Sequence, residues 1–256
     1  MMNLVQRFIA LFIVLQGVVA CNSDTAIECF RTTGDAVQYD IVVADFTKVH
    51  ISAGIELVIT QGETQKVTVH TGENIKEYIT AEVKEGELFI ANANNCNWTR
   101  DYNNTIVYIT TPNLDRIYSA SQFAIKSEGV LNFPTLELMS GLLSETASGT
   151  FELTINSENL LVQDDQSAYY VIKGEVDNLI VKFYDGDARF EGGDLIAQKV
   201  EVFQRSTNDI IVNPQQEIKG TIYSTGNLII KNTPSSLNTP LVVDVDQLYT
   251  GHIIYN

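Results

Sequence analysis

The chain has 256 residues, 45% of them apolar, enough to fill one large domain or two small ones. Its 16 Lys and Arg stand against 32 Asp and Glu, a formal charge of −16. That balance argues against a nucleic-acid partner, which needs clustered cations, and against adsorption to anionic lipid. It favours solubility and leaves divalent cations open as partners.

Residues 1–20 read as a secretory signal. Arg7 supplies a positive n-region, 8–14 an apolar run, and Val18-Val19-Ala20 a small-residue cut site. The run is shorter than the ~20 residues a membrane span needs. Val18-Val19-Ala20-Cys21 resembles the lipobox of bacterial lipoproteins, whose cysteine becomes the lipidated N-terminus. The resemblance implies a lipid on Cys21. Cleavage removes one charge, that of Arg7, so the mature charge goes from −16 to −17.

Residues 21–36 are polar and aperiodic, a lipidated tether ahead of the folded domain. Asp24-Thr25-Ala26 resembles the Asp-Ser/Thr-small O-glycosylation motif of exported Bacteroidetes proteins and marks Thr25 as a candidate acceptor. If Cys21 carries lipid, Cys29 and Cys96 remain. An exported chain meets an oxidising compartment, so a Cys29–Cys96 disulfide is expected, with two free thiols as the alternative.

The domain spans 37–256. Strand-like segments follow one another at 37–43, 49–59, 67–70, 81–90 and 105–110, with turns at Gln61-Gly62, Thr71-Gly72 and Glu85-Gly86. β-Branched and aromatic residues dominate, and no sustained helical period occurs. This part reads as a less regular β region. The polar loop 92–104 holds Cys96 and Trp98.

From 114 to 232 the pattern becomes a ladder. Phe151, Tyr170, Phe190, Ile210 and Ile230 recur at 19, 20, 20 and 20 residues. A second set, Leu160-Leu161-Val162, Leu179-Ile180-Val181, Val200-Glu201-Val202 and Gly220-Thr221-Ile222, tracks the first. Short apolar segments at a fixed period are the mark of a stacked solenoid. The fold class is therefore all-β, a right-handed parallel β-helix-like solenoid with ~20-residue rungs. Alternation puts the five ladder residues in one inward column. Thr150, Tyr169, Arg189, Asp209 and Ile229 then face out, with Arg189 beside Asp209 and Asp185 beside Arg205 as opposite-charge neighbours. Residues 241–255 supply one or two closing strands.

Phe46-Thr47-Lys48-Val49, 53–62, Val67-Thr68-Val69, Gly86-Glu87-Leu88 and the rung Ser206-Thr207-Asn208-Asp209-Ile210 resemble the putative auto-transporter adhesin, head GIN domain family. The resemblance covers roughly 46–232. It implies an exported β-solenoid, often lipid-anchored at the outer membrane or cell surface, and carries no catalytic residues. The periplasmic face of that membrane is the other address it allows.

Reactive chemistry is thin. His50, His70 and His252 are scattered, with no metal-ligand or nucleophile motif around them. No motif calls for a cofactor. Asp164, Asp165, Asp185 and Asp187 invite a Ca²⁺ reading, since Ca²⁺ takes six to eight oxygens, but solvated turn acids explain them more simply. The same acids could serve a carbohydrate-active β-helix enzyme, if three or more converge in a groove. Tyr169, Tyr184 and Tyr223 could instead form a flat face for a glycan or a protein. The leading expectation is a lipid-anchored binding or adhesion module without catalytic residues or metal. The alternative is the carbohydrate-active enzyme using groove carboxylates.

Overall fold

The computed structural model describes residues 31–94, 105–142, 148–232 and 240–256. Cys21, Thr25, Cys29, Cys96 and Trp98 lie outside them. The first seven strands are β1 (Ala36–Ile41), β2 (Lys48–Ile51), β3 (Glu56–Gln61), β4 (Lys66–Gly72), β5 (Ile79–Lys84), β6 (Glu87–Asn92) and β7 (Ile106–Thr111). The stack continues with β8 (Arg116–Ser119), β9 (Ile125–Leu131), β10 (Thr135–Ser140), β11 (Thr150–Asp164), β12 (Tyr169–Phe183), β13 (Arg189–Gln204), β14 (Ile210–Ile222), β15 (Leu228–Ile230), β16 (Val242–Gln247) and β17 (Ile253–Tyr255). The result is a β-solenoid with rungs of about 21 residues. Among the described residues no helix is long and apolar enough to cross a membrane.

Each rung visits two faces. On face 1, β6, β2, β8, β10, the second halves of β11 to β14, and β16 pair in parallel. On face 2, β7, β3, β9, the first halves of β11 to β14, β15 and β17 do the same. Inward side chains from both faces fill one continuous core running from Phe46 to Leu241.

The first part of the chain is more regular than its pattern suggested. β2 and β3 form a full rung, but its neighbours are β6–β7 on one side and β8–β9 on the other. Stacking order therefore departs from chain order there, which hides the period. Beyond β6–β7 the pairing turns antiparallel, β5 on β6, β4 on β7 and β1 on β4. These strands close that end of the stack, as an exposed parallel edge would otherwise invite pairing. Residues of the segment read as tether lie against this end. Arg31 donates to the Asn74 carbonyl and the Tyr78 hydroxyl at 3.2 Å each and pairs with Glu77.

In the ladder, Phe151 aligns with Tyr170, Tyr170 with Phe190, and Phe190 with Ile210. All are fully buried, and the Phe151 and Tyr170 rings stack at 4.7 Å. The next position in the row is Leu228, and Ile230 aligns with Val212. The corner before β15 is two residues shorter than the period, so the row shifts by two while Ile230 stays inward and buried. The second set shifts in the same way: Val200-Glu201-Val202 aligns with Ile218-Lys219-Gly220, and Gly220-Thr221-Ile222 sits two places along. Gly192-Gly193 falls where β13 carries one residue more than β12, a bulge that takes up the mismatch between rungs of unequal length.

The expected charge pairs are replaced. Arg189 lies over the Tyr169 ring at 5.4 Å and bonds Glu191 at 3.3 Å. Asp209 accepts the backbone N–H and the side-chain amide of Asn227, both at 3.0 Å, and so fastens the next corner. Asp185 accepts the Gly186 N–H at 2.9 Å, while Arg205 lines up with Tyr184. A short polar side chain beside a turn satisfies backbone donors first, and this wins over a solvent-screened ion pair.

Candidate functional site

Three of the buried polar residues mark corners. Ser119, Asp164 and Gln204 each end a face 1 strand and each accepts the N–H two residues on, of Ser121, Gln166 and Ser206. The chain leaves its strand there, and its freed donors need partners out of reach of water. Asp164 is fully buried, accepts Gln166 N–H at 2.6 Å and the Tyr170 hydroxyl at 2.9 Å, and its pKa is pushed up to about 7, chiefly by burial. Its carboxyl thus faces the core, whereas Asp185 and Asp187 are exposed and Asp165 half-buried. The four acids read as a Ca²⁺ candidate do not share one side of the backbone. Among the described residues no group of three or more His, Cys, Asp or Glu is placed to hold a metal.

The histidines stay apart. His50 packs between Phe89 and Tyr118 on face 1, at ring distances of 5.1 and 4.4 Å. His70 packs on Tyr108 on face 2 at 4.5 Å. His252 is exposed before β17.

The most distinctive outer surface lies on face 1. Val200, Val202 and Gln204 point inward, so Glu201 and Phe203 between them point out. The Phe203 ring sits 5.7 Å from Tyr184 on the preceding rung and 5.1 Å from Tyr223 on the following one. The three rings run along the solenoid axis at tilts of 44° and 46°. Tyr184 is fastened by its hydroxyl, which donates to Gln163 at 2.8 Å. Alongside runs a charged row. Glu201 stands between Lys182 at 3.6 Å and Lys219 at 3.4 Å. Asp244 and Asp246 continue it on β16. Tyr184, Phe203 and the charged row line an open groove of about 530 Å³, with Tyr223 next to it against Phe203.

The groove offers ring surfaces for C–H groups and adjacent rows of ammonium donors and carboxylate acceptors. Such a surface suits a ligand that is apolar on one side and hydroxylated on the other. Of the three tyrosines singled out in the sequence, Tyr184 and Tyr223 meet here. Tyr169 does not; it lies on face 2 under Arg189. Phe203 escapes a reading of the sequence, because a phenylalanine in a strand reads as core. The signal that finds it is parity, since Val202 and Phe203 cannot both face in.

Residues 45–234 match the family model described as putative auto-transporter adhesin, head GIN domain. The fold is similar to that of a putative adhesin from Bacteroides fragilis, with a TM-score of 0.77 at 19% identity over 88% of this chain and 100% of that one. It is also similar to a putative adhesin from Parabacteroides merdae, with a TM-score of 0.64 at 14% identity over 88% and 98%. A putative lipid binding protein from Parabacteroides distasonis gives a TM-score of 0.62 at 15% identity over 88% and 99%. At these identities the likeness is one of fold. No curated protein matches the chain.

Proposed function

This chain belongs to the family of putative auto-transporter adhesins with the head GIN domain, and from that premise we propose an exported, lipid-anchored binding module of the cell envelope without catalytic activity. Cys21 carries the lipid in this reading, and the membrane is the outer membrane or its surface. The ligand is a glycan laid along the Tyr184–Phe203–Tyr223 row. One observation carries the proposal: three aromatic side chains on successive rungs point outward beside a mixed row of Lys and acid. Sugar C–H faces pack on rings, and hydroxyls both donate to Glu201, Asp244 and Asp246 and accept from Lys182 and Lys219.

A glycan and protein-ligand array with soluble residues 22–256 tests it, run for wild type and Phe203→Ala. Glycan signals that vanish in the variant support the assignment. Protein signals only, or signals indifferent to Phe203, refute the glycan site. Cys21→Ala tests the anchor: it should move the protein from the membrane to the soluble fraction.

The carbohydrate-active alternative keeps one specific support. Glu158, Glu175 and Asp177 line one open groove, and Glu201, Asp244 and Asp246 another. A glycosidase needs one carboxyl held protonated beside one ionised. Asp244 and Asp246 are exposed and Glu201 is flanked by two lysines, so those three suit hydroxyl binding better than proton transfer. New reducing ends after incubation with an array hit would reverse this ranking.

A further inference from the structure

The two ends of the solenoid differ. At the end nearest Arg31, antiparallel strands β1, β4 and β5 lie beyond the parallel rungs. At the other, β16 pairs with β14 and β17 with β15. That last rung collects exposed apolar surface: Val242 is 57% exposed, Leu248 61%, Tyr249 62%, Ile254 40% and Tyr255 46%. Its inward residues Val243, Val245 and Ile253 pack on the core but stay only half-buried. Apolar surface gathered in one place marks an interaction site rather than scattered exposure.

We propose that the last rung receives a β-strand from a partner protein, and that the strand alternates apolar with basic residues. Among the described residues β16 pairs with β14 alone, and its other edge supplies backbone hydrogen bonds to an added strand. Val243 and Val245 alternate with Asp244 and Asp246, so an added strand meets apolar neighbours on the core side and carboxylates on the outer side. Apolar residues on such a strand extend the core, and Lys or Arg between them face Asp244 and Asp246. The chain's charge of −16 draws a cationic partner and repels an acidic one. The same acids select against a second copy of this chain. In a two-fold antiparallel pairing of β16 with itself that keeps inward residues opposite inward ones, a register centred on Val245 puts Asp244 opposite Asp246, and one centred on Asp244 puts it opposite its own copy. Like charges directly opposite destabilise a pair, so the pattern tells a partner from a sister molecule. This surface shares Asp244 and Asp246 with the groove beside the ring row, but it is the backbone edge of β16, and its occupant is a protein.

The test uses residues 22–256 and two labelled ten-residue peptides, one alternating Val and Lys, the other Val and Glu, followed by fluorescence anisotropy. The Lys peptide should bind on the order of tenfold or more tighter than the Glu peptide, with affinity falling as salt rises. Asp244→Lys with Asp246→Lys should reverse the preference. Methylating alternate backbone nitrogens of the Lys peptide should abolish binding. Equal binding of the methylated peptide would mean simple charge attraction and overturn strand addition, as would no binding of either peptide. Self-association of wild type in the ultracentrifuge would assign the surface to a second copy instead. Loss of glycan signals in Phe203→Ala leaves these outcomes unchanged, so the two assignments fail separately.

Discussion

Tyr170 donates its hydroxyl to Asp164 at 2.9 Å, six residues back along the chain and inside the stack. The pair closes a corner with a carboxyl that burial holds at a pKa of about 7, well above its ordinary 3.8. The folded value exceeds the unfolded one, so the native state keeps the proton longer. The contribution is complete below pH ~4 and is lost as pH rises through about 7, with a ceiling of about 4 kcal/mol. Asp40, held low first by the Thr68 hydroxyl and then by Lys66, acts in the opposite sense, so the comparison needs a variant. Melting temperatures of wild type and Asp164→Asn from pH 4 to 8 should diverge, with wild type losing ground as pH rises. Parallel curves would mean that Asp164 does not titrate in this range.

The inward row makes a contrast between neighbours. Phe190 is fully buried between Tyr170 and Ile210, while Arg189 beside it faces out. Phe190→Ala should cost about 3–5 kcal/mol in denaturant unfolding, through lost burial and an unfilled cavity. Arg189→Ala should cost no more than about 1 kcal/mol. Equal costs would mean a register wrong by one.

Gly174 has φ 110°, and a Cβ there would lie 2.0 Å from the Ile155 carbonyl oxygen of the rung below. Gly86, in the β5–β6 turn, has φ 74° and open space around it. Gly86→Ala therefore bears the left-handed strain alone, about 1–2 kcal/mol. Gly174→Ala must also push two rungs apart. It should melt clearly below Gly86→Ala in a thermal scan.

Cys29 and Cys96 carry a testable pairing. Their described flanks converge on Tyr78, whose hydroxyl accepts from Arg31 at 3.2 Å and whose carbonyl accepts from Ala93 N–H at 2.9 Å. We expect a disulfide, and a bridge closing so long a loop stabilises by roughly 4 kcal/mol in the chain-entropy model. Alkylation of the unfolded protein should label both cysteines only after reduction. Equal labelling without reductant would exclude the bond.

Much of this architecture is legible in the amino-acid order, for a physical reason. Parallel stacking makes the rung length a sequence period, so Phe151, Tyr170, Phe190 and Ile210 reveal themselves by spacing alone. The same spacing overshoots at Ile230. A slip of two keeps side-chain parity, and Leu228 and Ile230 are both apolar, so pattern cannot choose between them. The rungs of β2–β3 and β6–β7 escape notice because their stacking is not in chain order. At the corners, polarity misleads in both directions: Asp164 and Gln204 turn inward to hold turn donors, while Phe203 turns outward into the groove. Alignment puts Asp209 beside Arg189 but says nothing of the hydrogen bonds a turn claims, and Asp209 goes to Asn227.

Calorimetric titration of residues 22–256 with the strongest glycan from the array, for wild type and Phe203→Ala side by side, tests the central claim most directly. Saturable binding by wild type, weakened on the order of tenfold or more in Phe203→Ala with an unchanged melting temperature, is the predicted result. Equal affinity in the two proteins would contradict it and take the binding site away from the Tyr184–Phe203–Tyr223 row.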